Sequence, residues 1–345
     1  MSMRTLYRPV RSAAAVAVVT LGLAAAGCGA TSTSPSAARA ERPAAAVTVS
    51  SCGRTLSFER PPRRVMTLDQ SSTETLLALG LQTGMAGTSN LKTKVAPRYR
   101  AAYDSVPVLS PKILTAEQLR AATPDLVVSS FTALYTKDRV GTREELDRLG
   151  LPSYVSAVDC PEAAEHGLTP FDLLARDYEN LGKIFGVEDR AAELVAAQRA
   201  ALDRAARTGE DVAGEPTVVW LYSVYAGLPY VAGKGGMPSA MSELTGVRNA
   251  FDDVAEDWPE ASWEEIARRD PDIIVVGDLS ERGAPGDSAA DKLAMMRKDP
   301  ATSQLTALKE NRIIQVPGIE MDPSVRTVNT LALFAAGLKD LGYVR

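Results

Sequence analysis

The sequence has a single histidine, His166, and three cysteines in 345 residues. A lone histidine excludes multi-histidine metal centres and weakens imidazole-based catalysis. Aromatic residues are scarce, at 6%. There is no cationic excess: 38 lysines and arginines stand against 43 acids, a formal charge of −5. A general nucleic-acid binder needs the opposite balance. No nucleophile elbow, phosphate-binding glycine loop or metal-ligand spacing occurs in the sequence. Asp252, Asp253 and Asp257 have no second carboxylate cluster or histidine beside them and read as a solvated turn. What is present, 45% hydrophobic and 23% charged residues, is the composition of a folded globular protein. Its length exceeds what one core usually fills and predicts two lobes.

Residues 1–27 read as a signal peptide. Arg4, Arg8 and Arg11 precede an uncharged apolar run, 13–26, that is too short to span a bilayer comfortably. The run ends at Ala25, Ala26, Gly27 and Cys28, which resembles a bacterial lipobox with Cys28 as the lipidated first residue of the mature chain. Ala25 stands where leucine is commonest, and 24–26 also suits a cleavage that releases a soluble protein. Either route places the chain outside the cytoplasm. The first anchors it, by lipid alone, to the outer face of the cell membrane. Residues 28–46, rich in Ala, Ser, Thr and Pro, read as a flexible tether. Loss of the leader removes three arginines and no acid, so the formal charge becomes −8. Cys52 and Cys160 remain. An even pair outside the cytoplasm suggests a disulfide, with two unpaired thiols as the alternative, because sequence sets no distance between them.

In the body, 47–49 and 55–58 alternate around 51–54 and predict a hairpin. Short apolar runs at 64–68, 126–129, 153–155, 217–221, 273–276 and 312–316 predict buried strands. They are spaced by helices at 71–79, 115–122 and 143–149, the pattern of parallel α/β packing. Residues 106–109 read as extended. Ser71 and Glu74 have capping-box spacing. Pro170, capped by Thr169, opens a long helical stretch broken at Gly186. Its second part, 189–207, lacks Gly and Pro and would be roughly 28 Å long, enough to cross between lobes. A helix over 325–341 closes the chain. The segment 115–128 recurs in pattern at 262–275, which supports two related lobes. The division predicted is a first lobe at 47–168, connecting helices at 169–209 and a second lobe at 210–345.

Residues 62–80, 117–128, 242–249 and 263–276, in that order, resemble the substrate-binding lipoproteins of ABC importers for ferric siderophores, haem and cobalamin. The resemblance runs from about Cys52 to Tyr343. It implies an α/β protein of two Rossmann-like lobes joined by a long rigid helix, with ligand in the cleft and small hinge motion. It also implies a monomeric, non-catalytic partner of an ABC permease and, through it, of its ATPase. In that family a glutamate on each lobe docks with permease arginines, and Glu74 and Glu243 lie in the matching segments.

Ligands of open parallel sheets bind beyond the carboxyl ends of strands. That rule selects Asp69, Gln70 and Ser71, then Ser130, Phe131 and Thr132, in the first lobe. In the second it selects Tyr222, Ser223, Tyr225, Gly277, Asp278, Glu320, Met321 and Arg326. Tyr222, Tyr225, Tyr230 and Trp258 cluster in one segment and suit a planar or chelated ligand, with core packing as the other reading. The expected ligand contacts are therefore Gln70, Ser71, Ser130, Phe131, Tyr222, Tyr225, Tyr230, Trp258 and Arg326. Trp220 and Trp258 are both expected near the cleft. Lys92, Lys94, Arg98 and Arg100 make 90–100 locally basic, either to attract an anionic chelate or as a solvated loop. Arg326 is the best single cation for a chelate oxygen. The expected cargo is a ferric siderophore, with iron entering only inside the chelate and no resident cofactor. Cobalamin, haem or another anionic cofactor-like cargo comes next. A non-transport sensor or a hydrolytic lipoprotein is the rival class.

Overall fold

A computed structural model describes residues 46–345. The expected leader, Cys28 and the tether up to residue 45 lie outside the described residues. The chain then forms the hairpin β1 (Val47–Ser51) and β2 (Arg54–Phe58), with Ser51 paired to Arg54. Cys52 and Gly53, at φ 52° and 73°, make the primed two-residue turn that suits strand twist. Cys52 is joined to Cys160 in a disulfide, their Cα atoms 5.3 Å apart. The buried Arg143 holds the same turn, donating to the carbonyls of Ser51, Cys52 and Ser153.

The first lobe continues as β3 (Val65–Thr67), α1 (Gln70–Ala78), β4 (Met85–Ser89), α2 (Arg100–Tyr103), β5 (Val108–Ser110), α3 (Ala116–Ala121), β6 (Leu126–Ser129), α4 (Arg143–Arg148) and β7 (Ser153–Val155). Its sheet, in the order β5-β4-β3-β6-β7, is parallel throughout. The order reverses between β3 and β6, which opens a crevice beyond their carboxyl ends. Thr115 and Gln118 close a full capping box on α3. The expected box of Ser71 and Glu74 is not formed. Asp69 caps α1 instead, accepting from the Ser72 N–H at 2.9 Å, because the same carboxylate also ties the ends of β3 and β6 together.

Thr169 and Pro170 start α5 (Pro170–Phe185), which ends at left-handed Gly186 and leads into α6 (Glu188–Glu210). At 1.5 Å per residue α6 is about 34 Å long. Ala191 packs with Leu79, Leu181 and Ile184 in the first lobe's core, whereas Val195 and Ala205 pack with Trp220 and Phe334 in the second's. Helix α6 therefore crosses between lobes. Gly182 permits its close approach to α5, since a Cβ there would lie 2.6 Å from that of Ala191.

The second lobe holds β8 (Thr217–Tyr225), β9 (Leu228–Val231), α7 (Met237–Leu244), β10 (Arg248–Asn249), α8 (Trp263–Arg269), β11 (Ile273–Asp278), α9 (Ala289–Lys298), α10 (Thr306–Lys309), β12 (Ile313–Pro317) and α11 (Thr327–Asp340). Strands β10-β8-β11-β12 are parallel, and β9 folds back antiparallel on β8. Its switch point falls between β8 and β11. There the buried Lys292 ammonium donates to the Tyr222 and Gly277 carbonyls, both at 2.6 Å. Burial pulls its pKa down to about 8.

Asp177 on α5 accepts from Tyr154 Oη at 2.7 Å, the Ala157 N–H at 2.9 Å and Ser156 Oγ. Burial nevertheless raises its pKa to about 6. A carboxyl that holds its proton more tightly when folded adds stability as pH falls. Asp177 should contribute nothing above pH 6 and its full share below about pH 4, on the order of 2–3 kcal/mol. Urea unfolding of Asp177→Asn between pH 4 and 7 should lack that part of the slope. Wild-type slope in the variant would refute the assignment.

Among the described residues, no helix is long and apolar enough to cross a membrane. No group of three or more His, Cys, Asp or Glu among them is placed to hold a metal.

Candidate functional site

The two switch points face each other across the cleft, and the chain between 90 and 98 bridges them. Asp69 fixes the first, accepting from Ser129 Oγ at 3.0 Å and the Ser130 N–H at 2.8 Å. Gln70 turns inward. Its carbonyl oxygen accepts from the N–H groups of Lys92 (3.1 Å) and Thr93 (2.9 Å), and its amide donates to Glu74 at 2.9 Å. These bonds direct the Lys92 side chain at the second lobe. Its ammonium donates to Tyr222 Oη at 3.1 Å and to Asp322 at 3.3 Å. It also lies 5.7 Å from the Phe131 ring centre and 5.6 Å from that of Tyr222. Burial disfavours this ammonium, but the Asp322 carboxylate and the Tyr222 hydroxyl outweigh it, and the net pKa moves up. The Tyr222 hydroxyl is pushed up to about 12, by burial first and Asp322 second.

The Tyr222 ring lies 4.7 Å from that of Trp258, so Phe131 on one lobe and Tyr222 with Trp258 on the other form an aromatic cleft around Lys92. Beside it, a concavity of about 420 Å³ is lined by Thr93, Asp278, Glu281, Gln315, Ile319 and Arg326. Larger hollows lie elsewhere. One of about 530 Å³ is lined by residues of α5 and α6 alone, and none of the strand ends reaches it.

The expected contacts separate into two groups. Phe131, Tyr222 and Trp258 come together. Tyr225, 74% exposed, stands at the end of β8, and the Tyr230 hydroxyl binds Glu260. Ser71 and Ser130 are buried at the switch point, Ser130 with its N–H given to Asp69. Gln70 gives its polar atoms to Glu74, Lys92, Thr93 and Lys94. The Arg326 guanidinium pairs with Glu320 at 2.7 Å and Glu74 at 3.3 Å where it lines the concavity.

Glu74, expected at a permease interface, lies inside the protein at 1% exposure, where burial raises its pKa. Glu243, by contrast, is exposed. In the basic loop, Lys94 pairs with Glu281 and Arg100 with Asp104, both in exposed contacts, and Arg98 reaches the Val325 carbonyl. Trp220 is fully buried in the core, with its Nε1 donating to Ser242, and so does not border the cleft. Sequence reading passed over Asp159 and Asp322. The strand-end rule reaches both, since they follow β7 and β12 by a few residues.

Residues 65–319 match the family model for periplasmic binding proteins. A cobalamin-binding protein of Halobacterium salinarum is 25% identical over 282 residues, covering 79% of this chain and 70% of its own. The crystal structure of a periplasmic binding protein from Veillonella parvula has a TM-score of 0.72 at 26% identity, over 85% of this chain and 97% of that one. An ABC-type Fe3+-hydroxamate transport system protein from Saccharomonospora viridis has the same fold, with a TM-score of 0.70 at 24% identity, over 86% and 99%. The matched stretch contains both switch points and α6. The chain belongs to the periplasmic binding protein family and is a non-catalytic, extracytoplasmic substrate-binding component of ABC transport.

Proposed function

We propose that the protein captures a ferric siderophore in the inter-lobe cleft and delivers it to an ABC permease, held to the outer face of the cell membrane by lipid on Cys28. The observation that carries this reading is the aromatic cleft of Phe131, Tyr222 and Trp258 at facing switch points. Large chelates bury apolar edges against such rings while a few polar groups fix their orientation. The test is tryptophan quenching against ferric hydroxamates, ferric catecholates, haem and cobalamin. Trp258 should be the reporter, so a hydroxamate or catecholate should quench the wild type and leave Trp258→Phe nearly silent. A folded protein that responds to none of the four overturns the reading. Response to cobalamin alone moves it to the second reading, which the cobalamin-binding relative of Halobacterium salinarum supports.

Permease docking is assigned to Glu243, exposed at the end of α7. Glu243→Lys should abolish uptake in cells and leave ligand affinity within about twofold, because its end of α7 lies against Gly209 in the last turn of α6. A parallel loss of affinity would count against a docking role.

A further inference from the structure

The cleft already holds a cation. The Lys92 ammonium lies between Phe131 and Tyr222 at distances where ring faces attract positive charge. Three cations around the cleft face acids: Lys92 faces Asp322, Arg326 faces Glu320 and Glu74, and Lys94 faces Glu281. Two carboxylates that are, or bind, sequence neighbours of the cleft rings have no such partner, one on each lobe. Asp159 binds the N–H and hydroxyl of Thr132, next to Phe131. Asp257 adjoins Trp258. Among the described residues, neither has a cation at ion-pair distance. They sense each other: burial, and then the Asp159 charge, hold the Asp257 carboxyl above the usual range. In the basic loop, Lys94 and Arg100 face acids, and Arg98 donates to the Val325 carbonyl.

We infer that this cleft prefers a chelate with net positive charge or a cationic arm over an anionic chelate of the same size and iron-binding chemistry. The inference rests on the proposed cargo-capture role and names the charge class within it. A ferric trihydroxamate core is neutral, so a terminal amine alone sets its sign. That amine would find ring faces like those around Lys92 and carboxylates on both walls. An anionic arm would find Asp159 and Asp257 without a compensating cation.

The test is calorimetric titration of the mature protein with three ferric linear trihydroxamates that share one core. They carry a free terminal amine, its N-acetyl form or its N-succinyl form, and so are cationic, neutral and anionic. Affinity should fall in that order, by about tenfold or more from first to last at low salt. The spread should narrow at high ionic strength. In Asp159→Asn with Asp257→Asn it should shrink to about threefold or less. The asparagine oxygen still accepts from Thr132, so folding should survive, and circular dichroism checks it. Equal or reversed affinities in the wild type overturn the inference and leave cargo capture standing. A spread that persists unchanged in the double variant also overturns it. If none of the three binds, the inference fails, and the haem, cobalamin and catecholate titrations decide separately whether cargo capture fails with it.

Discussion

Replacing Arg326 with methionine should destabilise the protein by about 3–5 kcal/mol at neutral pH. The guanidinium is 13% exposed and bridges Glu320, 7% exposed, and Glu74, 1% exposed. Methionine keeps most of the packed volume but leaves two carboxylates enclosed without a cation. The expected loss is the cost of those stranded charges, which exceeds the net worth of the ion pairs themselves. Two consequences separate this account from simple loss of packing. First, Glu74→Gln with Glu320→Gln should restore most of the stability of Arg326→Met, because the stranded charges go with them. Second, the deficit should shrink in acid. Burial already raises the Glu74 pKa, so Glu74 takes up a proton early as pH falls and ceases to need its partner. Urea unfolding across pH 5–8 reads both. A deficit that is flat with pH and untouched by the glutamines would mean that Arg326 matters only as bulk.

Removing the Cys52–Cys160 bridge should cost about 4–5 kcal/mol in the chain-entropy account, because it closes a loop spanning 108 positions. For a chain of this size that corresponds to a midpoint lower by on the order of 10 °C. Cys52→Ser with Cys160→Ser should match the wild type under reductant. The damage should start at the β1–β2 turn, where Cys52 has positive φ and Arg143 binds the carbonyls on either side. The expected loss lies in stability, read as the melting midpoint of the oxidised wild type against that of the double serine variant. Identical melting of oxidised and reduced protein would contradict this.

The periodic parts of the fold were legible in sequence. Apolar runs located β3, β6, β7, β8, β11 and β12, and Thr169 with Pro170 located the start of α5. Strand β4 was missed. Its residues, Met-Ala-Gly-Thr-Ser, make no apolar run because neighbouring strands leave little room. A Cβ on Gly87 would lie 2.8 Å from Leu109. The site was legible in its rings and illegible in its charges. Phe131, Tyr222 and Trp258 follow from strand ends and local clustering. The fates of Glu74, Lys92 and Arg326 depend on partners 230 to 252 positions away. No local pattern reports such pairings. The Ser71–Glu74 spacing satisfied a helix-start rule, yet Asp69 took that role because it alone also reaches the neighbouring strand.

Helix α6, whose two ends belong to different cores, bears on cooperativity. Neither half of the molecule can melt without exposing apolar surface that the other half relies on. The chain should therefore unfold in one transition despite its two sheets, and neither sheet with its helices should survive excision as a soluble fragment. The free energy of anything bound between the lobes would then be distributed over the whole molecule. Amide protons far from the cleft, along α6 and in both sheets, should exchange more slowly when cargo is aboard.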